Sequence, residues 1–442
     1  MSTETEHIFE RLRSGTVPEK GLDKFAVGID KPIAEIRRQL DLAKSGEGCF
    51  KFLRGGYGCG KTFMSQYTLI EAMNANFAVS FVVVSPNDTQ FHKFDDVYHK
   101  IVSNLRTSMA ESGTLEFMID RWISRIEDRL AEEIGDDVDD FDERVKLRFE
   151  SELDELTKES TGNEFIAVLK AYFDAKQAGE YSTASGLVAW LSGSKNIASA
   201  IKSKAGIKGE ISSASAMTFL KGIVSIVKRA GYSGLVVVID ELETILRTRT
   251  DVRQKSLNGL RQIIDAAKDF RGMVWVFTGT PEFFDSRKGV AGLEPLHDRI
   301  KFATSGGFTS PKQPQLELKP FDKDRLRQVA LRLREIFPSK DKERVYRLVD
   351  DFFIDSLTAM VTSGLRGDVG VIPRQFLREL VTVLDLVEEF DGSDGGDAYI
   401  PKDRYNFPAT TLSEDDERLR SGVQESVDSD EAAGYQVEQL EW

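Results

Sequence analysis

The sequence has little cysteine, no long apolar run and no excess of positive charge. Its 442 residues include 2 cysteines, Cys49 and Cys59, which do not form a CxxC pair. Neither a disulfide framework nor a zinc site is therefore expected. Apolar runs such as AVSFVVV are too short to span a bilayer, and the amino-terminal stretch MSTETEHIFERLRSG has no apolar signal segment. We expect a cytoplasmic protein.

Acidic residues outnumber basic residues, and the formal net charge is −14. This balance argues against a surface that binds polyphosphate everywhere, although a local basic patch is compatible with it. One locally basic segment lies within residues 182–213, and its lysines are Lys195, Lys202, Lys204 and Lys208. It is either a nucleic-acid-contacting loop or a flexible linker or partner-docking loop. Apart from Trp190 no aromatic residue accompanies these lysines, so base stacking has little support.

Four short runs of β-branched and aromatic residues are present: CFKFLRG, AVSFVVV, GLVVVI and MVWVF. The last three end in polar turns and CFKFLRG runs into a glycine-rich loop, and helical patterns separate the four runs. Continuous apolar strands that alternate with helices are typical of a parallel sheet covered on both faces. The sequence therefore predicts an α/β fold, with ligands bound at the carboxyl ends of the strands.

The first of these strands leads into GGYGCGKT, which fits the pattern GxxxxGK[ST] of a P-loop. Glycines let successive backbone N–H groups surround phosphates, and Lys61 can reach the β- and γ-oxygens. Thr62, at the start of a predicted helix, can ligate Mg²⁺. The predicted nucleotide-binding residues of this stretch are Gly55, Gly56, Tyr57, Gly58, Cys59, Gly60, Lys61, Thr62 and Phe63.

A second strand ends in two adjacent acids within GLVVVIDELETIL. Acids at the end of a buried strand cost desolvation unless they have a partner or a task. Asp240 can hold the Mg²⁺ shell, and Glu241 can act as the general base that polarises the attacking water. The pairing favours ATP hydrolysis over binding alone.

Further candidates follow along the chain. Thr278, at the end of the strand in MVWVFTGTPEFF, could orient water near the γ-phosphate. Arg299 in LEPLHDRIKF could reach the nucleotide of a neighbouring subunit as an arginine finger, or could form a surface salt bridge. Arg374 follows Pro373 in the first turn of a predicted helix and could act as a sensor arginine from a lid, with Arg378 as the fallback.

The order of these motifs resembles that of AAA+ ATPases of the origin-recognition type. The closer resemblance is to the ATP-binding proteins of bacterial BREX phage-defence loci, the BrxD-like family. It is carried by GEGCFKFLRGGYGCGKTF, LVVVIDELETILR and GLRQIIDAAKDFRGMVWVFTGTPEFF, and spans residues 8–385. The resemblance implies a P-loop AAA+ core, use of ATP and Mg²⁺, ATP hydrolysis, and a place in a multi-protein assembly that acts on phage DNA.

The resemblance also suggests roles for two segments outside these motifs. In such ATPases an extended segment ahead of the P-loop contacts adenine, and Val27 and Gly28 suit that task, with plain packing of the segment as the alternative. Asn87 is either a polar switch that restrains the catalytic glutamate or a turn former before Asp88. Both alternatives stay open at the level of the sequence.

Lys61 and Asp240 lie farther apart in the chain than a compact AAA+ core requires, which indicates an insertion. The expected segments are 1–106 (amino-terminal segment and first part of the core), 107–218 (helical and basic insertion), 219–319 (second part of the core), 320–390 (a lid of three helices) and 391–442 (acidic, disordered tail). Because the tail leaves little room for a winged helix, we expect weak, non-specific DNA binding by the isolated protein.

Three functions are compatible with these features. The first is an ATPase of a defence complex, in which turnover is coupled to assembly or to DNA engagement and whose partners are further copies of this chain or other proteins of the complex. The second is a nucleotide-dependent scaffold with little turnover, and the third is a signalling ATPase of the STAND type. The adjacent acids favour the first over the second, and the lack of repeat arrays weighs against the third.

Overall fold

The structure, a computed structural model, describes residues 3–85, 90–158, 162–363, 372–393 and 395–405. Asn87 and the acidic tail beyond Tyr405 lie outside these residues. The chain divides into two compact units. The core unit is Val17–Pro320, and the terminal unit combines Met1–Thr16 with Phe321–Trp442.

The strands of the described residues are β1 (Cys49–Arg54), β2 (Ala78–Val83), β3 (Leu235–Asp240), β4 (Met273–Gly279) and β5 (Gln315–Glu317). The helices are α1 (Thr3–Arg13), α2 (Asp30–Lys44), α3 (Lys61–Asn74), α4 (Phe94–Ser103), α5 (Thr114–Ile134), α6 (Phe141–Lys158), α7 (Asn163–Gln177), α8 (Tyr181–Leu191), α9 (Ser199–Lys204), α10 (Ser213–Arg229), α11 (Thr250–Ala266), α12 (Pro281–Asp285), α13 (Glu294–Ile300), α14 (Lys323–Ile336), α15 (Lys342–Leu348), α16 (Asp351–Ser363), α17 (Ile372–Glu389) and α18 (Pro401–Arg404). Among the described helices, none combines the length and the apolar character needed to cross a membrane.

The core unit is built on one five-stranded sheet in the order β2-β3-β4-β1-β5, and every pairing is parallel. The prediction of a parallel α/β sheet is confirmed, and the four predicted strands are β1 to β4. β5 was not predicted, because it is only three residues long and gives no periodic signal. The carboxyl ends of β1, β3 and β4 meet at one edge of the sheet.

Alternate residues of β3 enter two different hydrophobic cores. Val236 and Val238 pack with apolar residues of α2 and α3 on one face of the sheet. Val237 and Ile239 belong to the other core, which contains apolar residues of α4, α11 and the insertion. Both faces are covered, which explains why β3 reads as a continuous apolar run and is buried at every position.

Within the predicted insertion, residues 107–218, the chain forms helices α5 to α9 and the first residues of α10. The ring of Phe149 stacks on that of Phe173 and lies tilted against that of Trp122, with both centroid distances 4.9 Å. The flexible-linker interpretation of residues 182–213 is wrong, because this segment contains two helices and buried side chains. Trp190, for example, is buried and donates from Nε1 to the Gly209 carbonyl at 2.9 Å.

In the terminal unit, the amino-terminal helix packs with carboxy-terminal helices. Arg13 on α1 donates to both carboxylate oxygens of Asp385 on α17, at 2.7 and 2.8 Å. The rings of Phe9 and Phe337 meet edge to face at 5.1 Å. Where the sequence predicted three helices, the structure has four main ones, because the second breaks into α15 and α16. The break comes where the Asp350 carboxylate accepts a hydrogen bond from the Phe353 N–H at 2.8 Å and caps α16.

Candidate nucleotide-binding site

The glycine-rich loop connects β1 directly to α3 at the carboxyl edge of the sheet. Gly58 and Gly60 have φ values of 71° and 82°, a left-handed conformation that disfavours residues with a Cβ. Gly55 is constrained by space, since a Cβ there would lie 3.0 Å from Cβ of Cys59. The loop therefore needs glycine at positions 55, 58 and 60. The first N–H groups of α3 that follow it have no intrahelical partners.

Lys61 lies at the start of α3 and is 9% exposed. Its Nζ donates to the carbonyls of Gly55 at 3.0 Å and Gly56 at 3.2 Å. The same Nζ is 3.4 Å from Oε1 of Glu243 and 5.1 Å from the ring centroid of Tyr57. The ammonium group is thus held beneath the loop by carbonyls, an aromatic face and a carboxylate.

The cysteine of the loop is buried, as is Cys49, and both are free thiols. Burial raises the pKa of the Cys59 thiol and that of Cys49. A raised thiol pKa favours the neutral form, which is a poor nucleophile. Cys59 therefore acts as a small apolar residue that packs the loop.

Three polar side chains from three elements meet at the end of β3. Oγ1 of Thr62 donates to Oδ2 of Asp240 at 3.3 Å. The hydroxyl of Thr278, at the end of β4, donates to Oδ1 of the same carboxylate. Asp240 is 2% exposed, and these two hydrogen bonds satisfy both of its carboxylate oxygens within the protein. The P-loop helix and two central strands are joined at this carboxylate.

Glu241 adopts a left-handed conformation, with φ 63° and ψ 44°, which is unusual for a residue that is not glycine. Its N–H donates to Oγ1 of Thr278 at 3.0 Å, which holds the turn. Although the residue as a whole is exposed, desolvation by protein atoms and then the charges of Asp240 and Glu243 raise the pKa of its carboxyl. Glu241 thus occupies a strained turn directly after the strand that carries Asp240.

Thr278 was predicted to orient water near the γ-phosphate. In the structure it is fully buried, and its hydroxyl contacts the acidic end of β3 on both sides, as donor to Asp240 and as acceptor from Glu241. Its observed contacts are therefore those of a residue that positions the two acids.

The segment ahead of α2 lies beside the P-loop helix. The ring of Phe25 meets that of Phe63 edge to face at 5.6 Å, and Val27 is buried. Gly28 is exposed and has a φ of 70°. The segment that carries Val27 and Gly28 is thus held next to Phe63, the residue that follows Thr62.

The two predicted arginines lie in different units. Arg299, in the last turn of α13, donates to the Asp265 carboxylate and to the Pro295 carbonyl. The salt-bridge alternative considered for Arg299 thus has a partner in Asp265. Arg374, in the terminal unit, is exposed and lies against Gly15. A Cβ added at Gly15 would be 3.6 Å from Cδ of Arg374. Their roles in nucleotide chemistry stay predictions.

Sequence reasoning missed two charged residues near the loop. Glu243 is the third acid of DELE, and only its contact with Lys61 distinguishes it from a surface acid. Arg54, the last residue of β1, donates to Asp285 at 2.7 Å, and its guanidinium lies 4.8 Å from the ring centroid of Phe302. The signal for Arg54 was a charge at the end of a buried strand.

The all-parallel sheet, with a glycine-rich loop between β1 and a helix that starts with lysine, is consistent with a P-loop-type core. The family model for the BREX system ATP-binding protein BrxC/D matches residues 1–402, and the chain belongs to this family. The resemblance to the ATP-binding proteins of BREX loci is therefore confirmed. A comparison with curated proteins gives no match.

Proposed function

We propose that the chain is an AAA+ ATPase that binds ATP and Mg²⁺ at Gly55–Thr62 and hydrolyses the nucleotide within a BREX-type phage-defence complex. The observation that carries the proposal is the hydrogen-bonded set of Thr62, Asp240 and Thr278 beside the buried Lys61. These residues come from separate parts of the sequence. The fold brings them to the one edge of the sheet where parallel sheets bind ligands.

The phosphates of ATP would bind the loop and the start of α3. Left-handed glycines and the first turn of a helix present N–H groups and a positive dipole to anions. Lys61 would exchange a contact with a loop carbonyl or with Glu243 for the β- and γ-oxygens. Val27, Gly28 and Phe63 would border the adenine, because their segments lie side by side.

The Thr62 hydroxyl and the Asp240 carboxylate fit Mg²⁺. Both are hard oxygen donors, their oxygens lie 3.3 Å apart, and Mg²⁺ at nucleotide sites takes few protein ligands besides phosphate and water. When bound, the ion would neutralise phosphate charge. Thr278 would hold the carboxylate in place through its hydrogen bond.

Glu241 would accept the proton of the attacking water. A general base works best when its pKa lies near the working pH, and desolvation with the neighbouring acids raises the pKa of Glu241 in that direction. The hydrogen bond from its N–H to Thr278 fixes the turn from which the carboxylate projects.

Assembly and DNA engagement are the further parts of the proposal. Arg299 would leave its pair with Asp265 to reach the nucleotide of a neighbouring subunit, and Arg374 would act from the terminal unit as a sensor of nucleotide state. DNA would be engaged weakly through phosphates by the lysines around α9, and more tightly only within the defence complex.

The proposal is tested first by equilibrium binding of fluorescent ATP in the presence of Mg²⁺. The wild-type protein is expected to bind, and Lys61→Ala is expected to lose binding because the cation at the phosphates is gone. Lys268→Ala removes an exposed lysine elsewhere and serves as the matched control. Equal binding by all three proteins would overturn the assigned site. Binding without turnover would instead favour the nucleotide-dependent scaffold.

A further inference from the structure

Glu243 is a buried carboxylate with an unusual set of contacts. It lies in the 3-10 helix Leu242–Arg247 that follows β3, and its side chain is 7% exposed. Oε1 contacts Nζ of Lys61 at 3.4 Å. Oε2 is buried and has no hydrogen-bond partner among the residues that the structure describes. A half-satisfied buried carboxylate is costly, which indicates that this position serves more than packing.

Lys61 is held by contacts within the protein. Its Nζ donates hydrogen bonds to the carbonyls of Gly55 and Gly56 and forms an ion pair with the carboxylate of Glu243 at 3.4 Å. A phosphate that engages Lys61 must draw the ammonium group away from these three contacts. Of the three, the carboxylate is the one that also repels phosphate.

We infer that Glu243 is a positioning residue that limits the affinity of the P-loop for polyphosphate nucleotides, by competing for Lys61 and by opposing the charge of the phosphates. It holds the ammonium beneath the loop and takes it back when nucleotide leaves, which speeds release of ADP. The inference rests on the proposed nucleotide site. It adds a negative determinant of affinity, which the usual P-loop residues do not provide.

The direction of the effect distinguishes this role from a structural one. If Glu243 merely supported the loop, its replacement would weaken nucleotide binding. If it competes for Lys61, Glu243→Gln should tighten binding of both ATP and ADP by roughly tenfold and slow their dissociation, because a unit charge a few ångströms from the phosphates is removed. AMP carries no β- or γ-phosphate for Lys61, so its binding should not change.

The experiment measures dissociation constants and off-rates of fluorescent ATP and ADP by stopped flow, with AMP as a competitor. The proteins compared are wild type, Glu243→Gln, Lys61→Ala and Glu47→Gln, the last being the same charge change at an exposed position. Thermal unfolding verifies that each variant is folded. Glu243→Ser, which removes the carboxylate and admits water, is expected to tighten binding as well and replaces Glu243→Gln if that variant is unstable.

The outcomes separate the inference from the function on which it rests. Absence of ATP binding by wild type, or retention by Lys61→Ala, would contradict the proposed site itself. Normal wild-type binding with equal or weaker binding by Glu243→Gln would overturn only the inference. Loss of folding in both Glu243 variants would show that the carboxylate holds the fold, and would also overturn it.

Discussion

The hydroxyl of Thr278, at the end of β4, donates a hydrogen bond to the carboxylate of Asp240, at the end of β3. The same oxygen accepts the N–H of Glu241 at 3.0 Å. One buried side chain therefore orients the proposed magnesium ligand and the turn that carries the proposed general base. This relationship leads to the first prediction.

Thr278→Val should impair both stability and turnover. The variant keeps the shape of threonine but leaves a buried carboxylate oxygen and a backbone N–H without partners, at a cost of about 1–3 kcal/mol. ATP turnover should fall by roughly 10- to 100-fold, as for other residues that orient metal ligands. Thermal unfolding and steady-state hydrolysis measure the two effects. Thr278→Ser, which keeps the hydroxyl, should be near wild type; normal turnover by the valine variant would refute the positioning role.

A second prediction concerns Lys51, a lysine in the middle of β1 that is 1% exposed. Its Nζ lies 2.8 Å from Oε1 of the buried Glu35 and donates to carbonyls at 311–313. Lys51→Met should destabilise the protein by roughly 3 kcal/mol at pH 7, because one partner of a buried pair is removed. Lys44→Met, at an exposed position on α2, should change stability little.

Lowering the pH should reduce the difference in the free energy of unfolding between wild type and Lys51→Met. Burial alone would raise the pKa of Glu35, but hydrogen bonds from Arg38, Lys51 and Gln39 outweigh it and lower the pKa to about 2. A lowered carboxyl pKa gives stability that is present above the unfolded value of 4.5 and is lost as the pH falls towards 2. Unfolding in urea at pH 7 and pH 4 tests this; a difference that grows at pH 4 would refute the assignment.

The structural elements with strong sequence signals were predictable. β3 and β4 are buried at every position, so each gives a largely apolar run, and the glycines followed by Lys61 and Thr62 mark the P-loop without any tertiary information. Asp240 and Glu241 were predictable because acids at the end of a buried strand need a task. The parallel arrangement then places Thr62 and Asp240 at the same edge.

Features that depend on tertiary contacts were not predictable. Glu243 reads as one more acid of a polar turn until its distance to Lys61 is known. Likewise, the charge of Lys51 is tolerated in an interior strand because Glu35, on the preceding helix α2, and the carbonyls at 311–313 contact it, and the sequence pattern does not show these contacts. The break between α15 and α16 falls at Val349 and Asp350, where the apolar pattern continues although the helix does not.

The third prediction concerns Arg299. If it acts across a subunit interface, Arg299→Ala should keep ATP affinity but lower turnover about a thousandfold or more. Mixing it with Lys61→Ala should restore some turnover, since each protein supplies what the other lacks. Arg261→Ala is the matched control, because Arg261 pairs with the same Asp265 at 3.4 Å. Absence of rescue, with mixed assembly verified, would count against an arginine finger.

The fourth prediction concerns DNA and the basic segment around α9. The isolated protein should bind duplex DNA weakly and without sequence preference, with a salt slope of roughly −0.9 per phosphate neutralised. Changing Lys202, Lys204 and Lys208 to Gln should weaken binding and flatten that slope, although Lys204 gives up an ion pair with Glu180 at 3.1 Å to reach DNA.

A salt titration of fluorescent duplex DNA measures both quantities. The control changes three exposed lysines elsewhere, Lys31, Lys44 and Lys268, to Gln and alters the net charge equally. Equal effects of the two triple variants would show that net charge alone matters. Tight, sequence-selective, salt-insensitive binding would require a DNA-reading element other than these lysines.

The most direct test of the account is ATP hydrolysis by Glu241→Gln. Gln preserves the shape of the side chain but cannot accept the proton of the attacking water, so the variant should bind ATP like wild type and turn it over roughly 10²- to 10⁴-fold more slowly. The measurement is single-turnover hydrolysis of γ-labelled ATP with Mg²⁺, with Glu47→Gln as the exposed control. Slow hydrolysis by Glu241→Gln alone is the predicted result, and hydrolysis at the wild-type rate would contradict the assignment of the base.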